Sequence, residues 1–284
     1  VDFTGIEKKA GGYRIFDYME LARDAEGRLR LAIRLTKGGI RPDVITAIQS
    51  ILDVRYTLTE QVIFHHAKCA ASAMLGKIAT LCGLTECEDL YKIGDEGLFA
   101  LLKSRIDDLP ERTPDGRQLR ETVGRLLENL KSRHLYKRVY RITETSRREY
   151  DKSSRVRLAD QYVDSSNRAV IEESVERTFG FEPGSVILFC PAPKMSLKEA
   201  RVMVVYDKVT APLGASSKAP CAVELRSPDL AKDYPDISDR VLGLEKQYLS
   251  LWTFYGFLDP EKFGWAAAVK TELVEAIGVA SDPL

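Results

Sequence analysis

Residues 52–81, LDVRYTLTEQVIFHHAKCAASAMLGKIATL, constrain this chain more than any other stretch. Leu58, Val62, His65, Cys69 and Ala73 recur at steps of three and four, so they share one helical face. Ile63, Ala67, Ala70, Met74 and Ile78 make a second apolar stripe beside it. A helix that is apolar on two faces belongs between layers, which predicts stacked helices around this element. The same stretch carries His65 and His66, and Arg55 lies about three turns ahead of His65. On one continuous helix, a guanidinium and an imidazole would lie along a single buried surface.

Around this helix the pattern alternates between periods. Residues 15–23 read as a short amphipathic helix. Residues 29–35 alternate Arg30, Ala32 and Arg34 against Leu29, Leu31, Ile33 and Leu35, which is strand periodicity. Pro42 suits the first turn of a helix running to about Val54, with Val44, Ile45, Ile48, Ile51 and Leu52 inward. Further helices are expected over 85–91, over 97–105 with Asp95 as cap, and over 118–131, with a turn over 110–116. From Ser132 the texture changes: residues 135–143, LYKRVYRIT, read as a strand and 166–179 as a helix. Strands follow over 186–190 and 200–206, then a loop over 208–227 and closing helices over 236–255 and 259–277. Asp259 and Pro260 carry the cap and first-turn signals of the last one. The expected fold is mainly α, with a small C-terminal α+β lobe, divided into residues 1–131 and 132–284.

Charge and cysteine usage exclude several classes of function. Lys and Arg balance Asp and Glu to a net charge of zero, so no global field recruits nucleic acid. The five cysteines form no C-x-x-C pair and histidines number three, which gives a zinc site little support. Scattered thiols of this kind suit a reducing compartment, and a cytoplasmic location is expected. No apolar run approaches the ~18–20 residues that a membrane crossing needs, so no membrane partner is expected. Neither G-x-x-x-x-G-K-S/T nor G-x-G-x-x-G occurs, and no G-x-S-x-G elbow is present.

Arg55-Tyr56-x-Leu58-x-x-x-Val62-x-x-His65, followed by a small-residue run ending Ala73-Met74-Leu75, resembles the HD-superfamily deoxynucleoside triphosphate triphosphohydrolases. In that family this helix lines the nucleotide pocket. The resemblance implies that Arg55 and His65 approach phosphates, with Tyr56 and His66 beside them. Ile63 stands where the family has Tyr, and His66 where it has Lys. Other motifs follow in the family's order: Thr4-Gly5, Phe16-Asp17-Tyr18, Arg133-His134-Leu135-Tyr136-Lys137, and Phe189-Cys190-Pro191-Ala192-Pro193-Lys194. Together they extend the resemblance over roughly residues 2–206. It implies an HD-like helical array and a regulatory-nucleotide role for Arg34, Asp17, Arg133 and Lys137 at a subunit interface. It also implies a chain that starts a few residues after the metal motif.

No His-Asp dipeptide is present, so the family's divalent metal would be held upstream of Val1 in the complete protein, and none by this chain. The expected partners are a nucleotide and either further copies of the chain or the HD catalytic part. A non-catalytic nucleotide-sensing or assembly module is the alternative, and Ile63 in place of the Tyr favours it. A third reading, nucleic-acid binding, rests on Arg133, Lys137, Arg138 and Arg141 and is set back by the neutral net charge. Lys194 and Lys198 and the charged run over 147–157 read as solvated surface.

Overall fold

The computed structural model describes residues 12–37, 39–84, 92–109, 113–143, 153–191, 202–207 and 221–283. The expected T-G segment at Thr4-Gly5, the helix over 85–91, and Pro193, Lys194 and Lys198 lie outside them. In chain order the elements are β1 (Met19–Arg23), β2 (Leu29–Arg34), α1 (Pro42–Leu58), α2 (His66–Leu81), α3 (Asp95–Asp107) and α4 (Pro114–Lys131). Next come β3 (Lys137–Thr143), α5 (Ser153–Tyr162), α6 (Ser165–Phe179), β4 (Val186–Phe189), β5 (Met203–Val205) and β6 (Val223–Glu224). The last are α7 (Pro228–Asp233), α8 (Pro235–Leu249), β7 (Thr253–Leu258) and α9 (Ala266–Ile277). Helix dominates the described residues, with two small sheets, as the sequence implies.

These elements form two compact units, Val1–Thr59 with Met195–Leu249, and Glu60–Lys194 with Ser250–Leu284. Residues from both sides of position 131 enter each unit.

The first unit is built on a sheet in the order β1-β2-β5-β6. β1 and β2 form an antiparallel hairpin with Leu21 opposite Leu31, and β5 runs parallel to β2 with Val204 opposite Ile33. Gly27, at φ +77, supplies the left-handed turn residue of the hairpin. One sheet face packs Ile33, Leu35 and Val204 against Val44, Ile45, Ile48 and Leu52 of α1 and against Ile237 and Val241 of α8. Ile51, expected inside, is 48% exposed. The helix expected over 15–23 is instead a 3-10 segment, Gly12–Tyr18, that runs into β1. Pairing with β2 satisfies the backbone of residues 19–23, and tertiary pairing overrides a short local pattern.

The second unit surrounds the antiparallel sheet β3-β7-β4. β7, buried at all six positions, is its central strand. The sequence reading placed Thr253, Phe254 and Tyr255 at the end of a helix over 236–255, but α8 ends at Leu249. Gly256 in β7 has no room for a side chain: an added Cβ would lie 2.9 Å from Leu273 of α9 and 2.9 Å from Cβ of Tyr140. Both sheet edges are closed. On β4, Glu172 accepts the Leu188 N–H at 2.7 Å and Glu176 accepts the Val186 N–H at 2.9 Å. On β3, the Asp282 N–H donates to the Arg141 carbonyl at 2.7 Å, and the Asp282 carboxylate accepts the Thr143 N–H at 2.7 Å.

Helices α2, α3 and α4 lie over this sheet. Cys69, Ala70, Met74 and Ile78 of α2 pack with Leu102, Val123, Leu126, Ile187 and Phe257. The buried double stripe expected over 52–81 therefore holds in its second half. Its first half fails, since Leu58, Val62 and Ile63 are 42%, 53% and 43% exposed.

Candidate anion-binding site

The stretch read as one helix is two. α1 ends at Leu58, Thr59–Ile63 make a π-helical turn, and α2 opens at His66. The Thr57 and Thr59 hydroxyls donate back to the carbonyls of Asp53 and Arg55 at 2.9 and 2.8 Å, a bond that bends helices. His65 leaves helical geometry at φ −59, ψ 134 and caps α2, its Nδ1 accepting the Ala67 N–H at 3.4 Å. The single buried surface expected for Arg55 and His65 is thus corrected. Arg55 is exposed on α1 of the first unit and His65 is exposed at the start of α2 in the second, and Tyr56 is half-buried.

The start of α2 collects positive charge. The His65 and His66 rings lie 4.3 Å apart, tilted by 38°. His66 is held below the ordinary imidazole pKa, first by partial desolvation and then by the charges of His65, Arg138 and Lys137. The charges of Lys137 and Arg138 on β3 thus bear on His66. The exposed N–H groups and dipole of a helix start add to the positive potential. Arg133 sits nearby in sequence at φ 59, the only non-glycine residue with positive φ among those described. It follows α4, where the His134 N–H reaches back to the Asn129 carbonyl at 2.8 Å. Tyr136 of the same motif is structural: it is 3% exposed and donates to the Gly184 carbonyl at 2.8 Å, with Asp259 at 3.3 Å.

Asp17 and Arg34 come together elsewhere, in a cleft of about 510 Å³ within the first unit. Tyr18, Glu20, Thr36, Lys37, Arg41 and Asp207 also line it. Arg34 is clasped by Glu20 through Nε and Nη2 at 2.7 and 2.8 Å, with Asp207 at 4.0 Å. Arg41 lies 4.1 Å over the Tyr18 ring and donates to its hydroxyl at 2.7 Å. Buried Thr36 accepts the Asp207 N–H at 2.8 Å, which fixes that wall. Sequence reasoning missed Glu20, Lys37 and Arg41. The cations around the glycines after β2 were the available signal.

Among the described residues no group of three or more His, Cys, Asp or Glu could hold a metal ion. These residues therefore do not fit a divalent-metal site of their own. No described helix is long and apolar enough to cross a membrane.

A family model described as "HD associated region" matches residues 30–224, more than half of the chain. No curated protein matches the chain significantly. The match takes in Arg34, Lys37 and Arg41 of the cleft but not Asp17, Tyr18 or Glu20, together with the start of α2 and Lys137 and Arg138 on β3, and this chain belongs to the HD-associated region family.

Proposed function

We propose that the chain is the nucleotide-facing part of an HD-family phosphohydrolase, which in its complete form converts a deoxynucleoside triphosphate to deoxynucleoside and triphosphate. The observation that carries this reading is the His65–His66 ring pair at the start of α2, with the charges of Lys137 and Arg138 on β3 bearing on His66, within a chain of the HD-associated family. Its charge and exposed donors suit phosphate oxygens. On the first unit, Arg55 and Tyr56 of α1 are nucleotide contacts in their own right, a two-pronged clamp and a packing surface. The divalent metal and its chemistry belong to residues other than these. The working protein would be cytoplasmic and would associate with an HD catalytic part or with further copies. Nucleic acid is not the expected partner.

Calorimetric titration of a deoxynucleoside triphosphate tests this reading. Lys137→Ala or Arg55→Ala should each weaken binding by about 1.5–3 kcal/mol, the range for charge-assisted hydrogen bonds, with melting temperature little changed. Unchanged affinity in both variants would remove the reading. Purified 1–284 should release no triphosphate, and chelator-sensitive release from it would show that the chemistry resides here after all.

A second reading, a nucleotide sensor without catalysis, is favoured by one observation: Asp17 and Arg34 share a cleft. The carboxylates suit the donors of a base and the guanidinium suits a phosphate.

A further inference from the structure

Three cations line the cleft of the first unit, yet its arginines are already engaged. Arg34 offers the fork geometry that binds phosphate bidentately, and Glu20 fills that fork with both carboxylate oxygens, at 2.7 and 2.8 Å. The two side chains are 32% and 30% exposed, so the pair is only partly screened by solvent. Glu20 and Arg34 sit on neighbouring strands, Glu20 opposite Ala32 and two residues from the position facing Arg34, which makes the clasp a product of strand register. Arg41 is likewise held, by Asp43 at 3.1 Å and by the Tyr18 ring and hydroxyl. Lys37 is exposed and has no carboxylate partner among the described residues. Among the described residues the cleft thus offers Lys37 without a carboxylate partner and a guanidinium occupied from within.

We propose that Glu20 is a built-in competitor for the anion at Arg34, so that the cleft admits a phosphorylated ligand only when the Arg34–Glu20 clasp opens. The proposal rests on the sensor reading of this cleft. Lys37 makes the first contact with the arriving anion, the phosphate displaces the Glu20 carboxylate from Arg34, and Glu20 turns to solvent. Apparent affinity is reduced by the fraction of molecules whose clasp is open, so a clasp closed nine-tenths of the time weakens binding about tenfold. Glu20 therefore sets the ligand concentration at which the cleft fills. It also selects polyphosphates over singly charged anions, because only a multivalent anion outcompetes a carboxylate held in place.

The test is calorimetric titration of inorganic tripolyphosphate into the full chain. Glu20→Gln should bind about tenfold more tightly than the unmodified chain, by the same open-fraction argument. Adding Arg34→Ala to Glu20→Gln should abolish that gain. Glu26→Gln is the control for a change of one charge: it lies on the same hairpin, pairs with Arg28 at 2.8 Å and does not line the cleft. It should leave affinity unchanged. If Arg34→Ala alone weakens binding relative to the unmodified chain but Glu20→Gln binds no more tightly than that chain or than the control, the competitor role is overturned and the sensor reading stands; if Arg34→Ala changes nothing, the binding lies outside the cleft and both fall. If no folded variant binds tripolyphosphate, the cleft is not a phosphate site and both fall.

Discussion

Glu176 is 4% exposed, and burial pushes its carboxyl up to about 7, against the Val186 N–H and the charge of Lys77, which pull it down. The folded chain therefore holds this proton more tightly than the unfolded chain, whose carboxyl keeps a value near 4.5. Its contribution to stability is complete below about pH 4.5 and is lost as pH rises through 7. Glu176→Gln keeps an acceptor for Val186 and removes the titration. Urea melts of the two proteins should diverge by an amount on the order of 3 kcal/mol between those limits. Equal pH dependence would show that the carboxyl titrates normally. Lys77 meets the second oxygen of Glu172 at 2.6 Å. Lys77→Met leaves that carboxylate buried without its cation and should cost about 3 kcal/mol, read as a lower urea midpoint. Arg133 poses the reverse case. A left-handed arginine costs roughly 1 kcal/mol relative to glycine, so Arg133→Gly should be no less stable on melting. If the guanidinium serves a nucleotide, the same variant should lose affinity. Strain that persists in this way is a marker of use.

At the scale of elements, β7 decides the second unit, and Gly256 decides β7. Gly256→Ala drives a methyl into Leu273 and Tyr140 and should destabilise the protein by about 1–3 kcal/mol, the usual cost of overpacking. A variant that melts with the unmodified chain would mean that α9 yields easily. The strand was legible in principle: TFYGFL is aromatic and carries no charge, unlike the helix before it. It was misread because apolar continuity with α8 imitates a longer helix. Elements with strong end signals were read well. Pro42 opens α1 and Gly180 at φ +65 ends α6, whereas Thr113 and Pro114 open α4 inside the turn expected over 110–116, ahead of the start expected at 118. The break between α1 and α2 was not legible, since it depends on hydroxyl-to-carbonyl bonds and on a histidine acting as cap. The site followed the same rule. Arg34 and Asp17 were named from motif order, whereas the Glu20 clasp needs strand register, and the approach of Lys137 and Arg138 to His66 needs the placement of β3 beside α2.

For the molecule as a whole, the described thiols are graded, with Cys82 half-buried between the extremes. Cys69 is 1% exposed with its thiol pushed up to about 11 by burial, and burial pushes Cys190 up to about 12. Cys221 is exposed. Alkylation of the native chain at pH 8, read by peptide mass, should mark Cys221 before the other described thiols and reach Cys69 and Cys190 only in denaturant. Early labelling of Cys69 would show that α2 opens readily from its sheet. The two units are also interleaved along the chain, each closed by a segment that comes much later. During synthesis β2 must wait for β5, an interval on the order of ten seconds at ribosomal rates of ~5–20 residues per second. β3 and β4 must both wait for β7, which lies between them in the sheet and leaves the ribosome after either. Until then the strand edges that pair with β5 and β7 are without their partners. A fragment cut at residue 194 would keep the edges of one sheet and lose its centre.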